Sequence, residues 1–199
     1  MRPRKYGDAG QAFPIYITVV GGLLFLAFAY FAVGQATVNR NGAQTAADAA
    51  ALAAAQDKRD QLAGAWVRNL LDPVKWDEIF DGAADGLVLS CWRADQLAAQ
   101  NAAEVLNCTQ GLLSYTVEVR STESVGESIV PGTEEFKSEA TATAVIKFRC
   151  EFDMPAEDAE GDTLPLLTCE GEKWPLDPEG SEELLPQPED LFDVYLADQ

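Results

Sequence analysis

Four cysteines carry the most chemical reach in this sequence: Cys91, Cys108, Cys150 and Cys169, separated by 17, 42 and 19 positions. No Cys-x-x-Cys pair occurs and the chain has no histidine, so a zinc site would need four scattered thiolates. Two disulfides are the simpler expectation. Of the three connectivities that four cysteines allow, pairing Cys91 with Cys108 and Cys150 with Cys169 is favoured, because each pair brackets a hairpin-sized segment. Spacing alone leaves that choice open.

The rest of the catalytic inventory is thin. Without histidine, His-dependent triads and most switches near neutral pH are excluded. Gly126-Glu-Ser-Ile-Val130 lacks the second glycine that a nucleophile elbow needs, and no glycine-rich phosphate cradle is present. Asp177-Pro-Glu-Gly-Ser-Glu-Glu183 lacks the alternating ligands of a calcium loop. Asn107-Cys-Thr109 fits a glycosylation sequon formally, yet it contains a cysteine assigned to a disulfide. No cofactor, metal or enzymatic activity is expected. Fourteen basic against thirty-three acidic residues give a net charge of -19, which phosphate backbones repel, so nucleic acid is not an expected partner.

The elements that must position those cysteines begin with a span. Ala9 to Asn39 is a run of 31 residues without a charge, enough as a helix to cross the roughly 30 Å hydrocarbon core of a bilayer. Its most apolar part is Phe13 to Val33, with Tyr16 near one end, where an aromatic belt would lie. A cleaved signal peptide is the competing reading, with small residues at Val33-Gly-Gln-Ala36, but the run exceeds an ordinary apolar signal region. Arg2, Arg4 and Lys5 precede the span and Arg40 alone follows closely, so the N-terminus is expected to be cytoplasmic and residues from about 40 onward outside. All four cysteines lie on that outer side, where disulfides persist.

After Arg40 the chain is rich in strong helix formers as far as Leu71, and Asp72-Pro73 is a natural stop. One rod from 13 to 71, bent at Asn41-Gly42 if anywhere, would be about 88 Å long. Ala29, Ala36, Ala43 and Ala50 recur at sevens, joined by Ala32, Ala46 and Ala53, leaving one flank nearly free of bulk for a close helix–helix approach. Beyond Pro73, Val74 to Phe80 reads as a short helix and Cys91 to Leu106 as a longer one, with Trp92, Leu97 and Val105 as core candidates. Alternation over Leu113 to Arg120 and over Glu139 to Phe152 predicts two half-buried strands, and a third is placed near Leu164 to Cys169.

Residues 151 to 199 hold sixteen acidic residues against one lysine, with six of the ten prolines, so an acidic, flexible tail is expected from Asp177. Leu184, Leu185, Leu191, Phe192, Val194 and Tyr195 inside it leave open that the end docks on a partner or on the domain itself. The expected fold is α+β, with about three antiparallel strands beside two short helices. The division is a basic cytoplasmic N-terminus 1–12, a transmembrane helix 13–38, an alanine-rich helix 39–72, a small extracytoplasmic domain 73–176 and the acidic tail 177–199.

One stretch is more specific than its composition: Gly7-Asp-Ala-Gly-Gln-Ala-Phe-Pro14 before the span, then Gln44-Thr-Ala-Ala-Asp48-Ala-Ala-Ala-Leu52-Ala-Ala-Ala55 after it. This resembles the N-terminal region of TadE/TadG-like proteins of Flp (Tad) pilus assembly, in a short form similar to versions found in actinobacteria. The resemblance covers roughly residues 7 to 58. It implies a minor pilin or pilus-assembly factor in a bacterial cytoplasmic membrane, with membrane lipid and other pilus-assembly proteins or pilins as partners. It also makes Gln44 and Asp48 candidate helix-interface contacts beside Ala29, Ala36, Ala43 and Ala50, the alternative being a solvated pair.

Pilin-like relatives are trimmed after a glycine and carry a glutamate five residues on. Here Gly10 and Gln11 mark the possible processing site, and the glutamate position holds Ile15. A buried new terminus without its counter-charge is costly, which favours an unprocessed assembly protein over a filament subunit. The alternative to the pilus reading is a membrane-anchored module that binds a ligand or a cell-wall component.

Overall fold

The alanine-rich stretch and the apolar span form one helix. The computed structural model describes residues 12–124, 136–153, 164–177 and 184–198. In it, α1 runs Ala12–Arg68 with no break at Asn41-Gly42. It stops at Arg68, short of Leu71, and side-chain donors meet the carbonyls at that end. The Asn69 side-chain amide donates to the Ala65 carbonyl at 2.8 Å, and the Trp76 indole N–H donates to the Asn69 carbonyl at 3.1 Å. A single 3-10 turn, Pro73–Lys75, then leads into α2, Trp76–Phe80.

The two halves of α1 meet different surroundings. Phe13–Phe31 is exposed along its length, with Tyr30 83% accessible at the end nearer the domain. From Ala43 onward, Ala43, Ala46, Ala47, Ala50, Ala51 and Ala54 are buried, a spacing of three and four that lays one helical face on a neighbour. That neighbour is an antiparallel sheet of order β1-β2-β3-β7, formed by Ala103–Gln110, Ser114–Ser121, Glu139–Phe148 and Phe192–Leu196. Tyr115, Val117 and Val119 of β2 and Ala142, Ala144 and Ile146 of β3 are buried in the same core as the helical alanines. The alanines of α1, met by Ala142 and Ala144 of β3, let helix and sheet approach closely, so adding a methylene group there forces backbone shifts.

At the C-terminal end of α1 the small residues give way to rings. Trp66 meets Trp76 edge-on at 5.5 Å, Trp76 meets Phe152 at 5.4 Å, and Phe80 stacks on Phe148 at 3.8 Å. Each such pair adds about 0.5–1.5 kcal/mol beyond the area it buries. The cluster joins α2 and a second, three-stranded sheet to the core. That sheet has the order β4-β5-β6, formed by Cys150–Asp153, Leu166–Cys169 and Glu172–Trp174.

Several elements depart from the sequence expectation. The helix that starts at Cys91, α3, ends at Gln100 rather than Leu106. The Asn101 side-chain amide caps the Leu97 carbonyl at 2.8 Å, and Ala102 takes the left-handed conformation, φ 51°, that reverses the chain into β1. Val105 therefore lies half-buried on a strand, Leu97 is half-buried, and Trp92 is 54% exposed rather than in the core. The alternation through 139–152 is divided between two sheets at Arg149: Phe148 pairs with Phe192 of β7, whereas Cys150 pairs with Cys169 of β5.

The acidic end also differs from a flexible tail. A short helix, α4 (Pro188–Leu191), carries a capping box between Gln187 and Asp190. The chain then enters β7, which pairs with β3 from Phe192↔Phe148 to Leu196↔Ala144, with Leu191 and Phe192 buried. Burying those side chains outweighs the acidity around them, because charged neighbours such as Asp193 stay exposed on the other face of the strand. The described parts thus hold more strands than the three expected.

Candidate functional site

The structure places the cysteines in two bonds. Cys91–Cys108 ties the first residue of α3 to β1, and Cys150–Cys169 is a directly opposed cross-strand pair in the second sheet, with Cα atoms 3.9 Å apart. Cys169 lines a small polar cleft with Arg149, Glu170 and Asp190. Among the described residues no group of three or more histidine, cysteine, aspartate or glutamate side chains is arranged to hold a metal.

The helix-interface candidates divide. Ala43 and Ala50 are buried against this chain's own core, so a partner helix cannot reach them; the helix beside α1 there is α3, whose Ala94 and Ala98 are buried in the same core. Ala29 is half-buried on the projecting part of α1, and the side chain of Ala36 lies outside the described residues, as do Gly10 and Gln11. Gln44 and Asp48 are half-buried and bonded to each other at 2.8 Å, one turn apart, and the Gln44 amide also reaches the Thr141 carbonyl of β3 at 3.5 Å. They dock the helix onto its own sheet.

What the sequence did not disclose is the junction of helix and domain. On one flank, a cleft of about 660 Å³ lies between Tyr30, Phe31, Gly34 and Val38 of α1 and the near end of the domain. Its domain wall is Asn101 and Ala102 at the α3–β1 turn, with Ser121 and Glu123 where β2 ends. No motif marks this wall, because its shape depends on the positive φ of Ala102 and on where two strands finish. On another flank, Arg40, Asn41 and Gln44 face Glu139, Ala140 and Thr141 across a smaller polar cleft.

Farther along the domain, the Arg149 guanidinium pairs with Glu170 and donates to the Glu189 carbonyl at 3.0 Å. The hydrogen bond from Arg149, and then its charge, hold the Glu170 carboxyl below the ordinary carboxylate range. This pair stands where β3 passes into β4, so it joins the two sheets and the α4 segment. It is a structural clasp.

The arrangement therefore concentrates on one object, a helix that is exposed and apolar at one end and a domain core at the other. Residues 10–57 match the family model "Putative Flp pilus-assembly TadE/G-like". The matched TadE/G-like segment takes in the whole apolar span and the first turns that α1 makes inside the domain. It is about a quarter of the chain. Neither the curated proteins nor the solved structures contain a match to the chain. The TadE/G-like match connects the chain with pilus assembly, and the exposed apolar helix is compatible with membrane anchoring.

Proposed function

We propose that this is a single-pass membrane protein serving Flp-type pilus assembly, with its N-terminus cytoplasmic and its α+β domain outside the cytoplasmic membrane. The observation that carries the reading is the continuity of α1. The span and the central helix of the domain are one uninterrupted element, so the domain is held to its anchor without a flexible joint. A short exposed span of 19 residues, about 29 Å as a helix, fits the hydrocarbon thickness. Two disulfides favour the oxidising side of the membrane.

On this reading the protein acts by protein–protein contact. Its own fold occupies the alanine face beyond residue 43, which leaves the projecting apolar helix and the domain surface for partners. Ile15 stands where a processed subunit would need a counter-charge, which supports an assembly role over a place in the filament. Copurification tests the reading. Gentle solubilisation of native membranes should recover pilus-assembly components or pilins with the full-length protein. Recovery of cell-wall material or a small ligand in their place would support the alternative, an anchored binding module.

A further inference from the structure

We propose that the outer edge of β7 is a docking edge for an extended segment of another protein, apolar on one face and basic on the other. This edge belongs to the domain and holds whether or not the chain serves a pilus. The four-stranded sheet ends in β1 on one side and β7 on the other. β1 is interrupted by a bulge between Val105 and Asn107, and the Cys91–Cys108 bond ties α3 to it. Bulges and covering elements are among the devices that keep foreign strands off an edge. β7 has no bulge and no proline: its register with β3 runs unbroken from Phe192↔Phe148 to Leu196↔Ala144.

The bonds to β3 fix which backbone groups are left over. Arg149 N–H donates to the Leu191 carbonyl and Ala197 N–H to the Thr143 carbonyl, so the odd-numbered residues of this stretch face β3 and the even-numbered ones face outward. The Phe192 N–H is taken by the Pro188 carbonyl of α4. That leaves the Phe192 carbonyl with the N–H and C=O of Val194 and Leu196, and among the described residues no hydrogen bond reaches them. A row of donors and acceptors at this spacing is the complement of another strand. The inward face is also incomplete at the edge. Val194 and Leu196 are half-buried, whereas Ala142, Ala144 and Ile146 of β3 are buried, so apolar side chains from an added strand would extend the same core.

Charge selects the partner. Asp193 is exposed on the outer face, with Glu189 and Asp190 before it and Asp198 after it, and no basic residue occurs from Gln187 to Gln199. Lys147, opposite Asp193 in the register, and Arg149, whose charge acts on Asp190 and Asp193, both lie on the β3 side. The undescribed stretches nearby add only acidity, since the whole of residues 151–199 holds sixteen acidic residues and one lysine, Lys173. A second copy would bring the same acidity to the edge and is repelled by it. Lysine or arginine on the outer face of an added strand is attracted.

The test mixes the full-length protein, in non-ionic detergent, with the capped peptide Val-Lys-Val-Lys-Val-Lys-Val or its glutamate counterpart, and follows amide hydrogen exchange by mass spectrometry. The lysine peptide should slow two amides in the fragment 191–199, those of Val194 and Leu196, and the glutamate peptide should bind roughly tenfold more weakly. Val194→Pro removes an outward donor and no bond to β3, so the fold should persist while the protection at Leu196 vanishes. Asp193→Lys leaves the backbone ladder whole and should weaken the lysine peptide about fivefold. Protection elsewhere on the domain, or none, would overturn the docking edge, as would undiminished protection in Val194→Pro. Should that variant lose its native circular dichroism, the two peptides and Asp193→Lys decide. Equal binding of the peptides, or an affinity that Asp193→Lys leaves unmoved, would overturn the basic partner. Slow exchange of the same amides without peptide, growing with protein concentration, would assign the edge to a second copy and overturn it too.

Discussion

Lys58 is the one charged side chain that is buried among the described residues. It is 2% exposed on α1, and its ammonium donates to the Gly111 carbonyl at the β1–β2 turn, 3.2 Å away. Burial pushes its pKa below the ordinary lysine value. The sign of the linkage follows: between the lowered folded pKa and the ordinary value of 10.5 the unfolded chain holds more protons than the folded one, so stability rises with pH through that window. Denaturant unfolding across alkaline pH should show this rise in the wild type. Lys58→Met, which keeps the apolar stem and removes the charge, should flatten it and cost less than Lys58→Ala, whose lost packing is worth about 2 kcal/mol. An equal slope in the wild type and Lys58→Met would show that another group titrates.

Elements decide how much of the fold can be read from residue patterns. The alternation of Tyr115, Val117 and Val119 marks β2 because one face is buried and the other is not. The alternation through Ala140–Phe152 is equally clear, yet it hides the change of sheet at Arg149, since inward and outward faces continue in phase across the switch. β1 follows an alanine-rich helix without a proline or glycine between them, so only the Asn101 cap and the positive φ of Ala102 separate the two. β7 is masked by acidity, although Phe192, Val194 and Leu196 carry its inward face. Of the candidate site, the span and the cysteines are legible from residue type. The junction cleft is not, because it is made of backbone ends.

These elements also set the energetic expectations. Deleting residues from 178 onward removes β7 and its buried Phe192, so the thermal transition should lose cooperativity or fall steeply; an unchanged transition would place β7 outside the folding unit. Replacing Cys91 and Cys108 with serine opens a link spanning 17 residues, worth about 3 kcal/mol of chain entropy, and should loosen the start of α3. Hydrogen exchange localised to α3 and β1 checks that. Ala50→Leu should cost about 1–3 kcal/mol by overpacking the helix against its neighbours, whereas Ala29→Leu on the projecting helix should leave domain stability unchanged. If both are neutral, the close helix–sheet contact is not what holds the domain together.

For the whole molecule, one rod serves two solvents. The apolar half of α1 suits lipid and the alanine half suits a tightly packed core, and no break separates them. The TadE/G-like match spans this boundary, from residue 10 to residue 57. Because the span and the core helix are one element, cutting the chain near its start changes what the molecule can be. The decisive measurement is the intact mass of the protein extracted from its native membrane. The expected mass begins at Met1 or Arg2, with both disulfides formed: a permanent anchor fused to an assembly domain. A mass beginning at Gln11 would make it a processed filament subunit, and one beginning beyond Val33 would mean that the span is discarded and the anchor reading is contradicted.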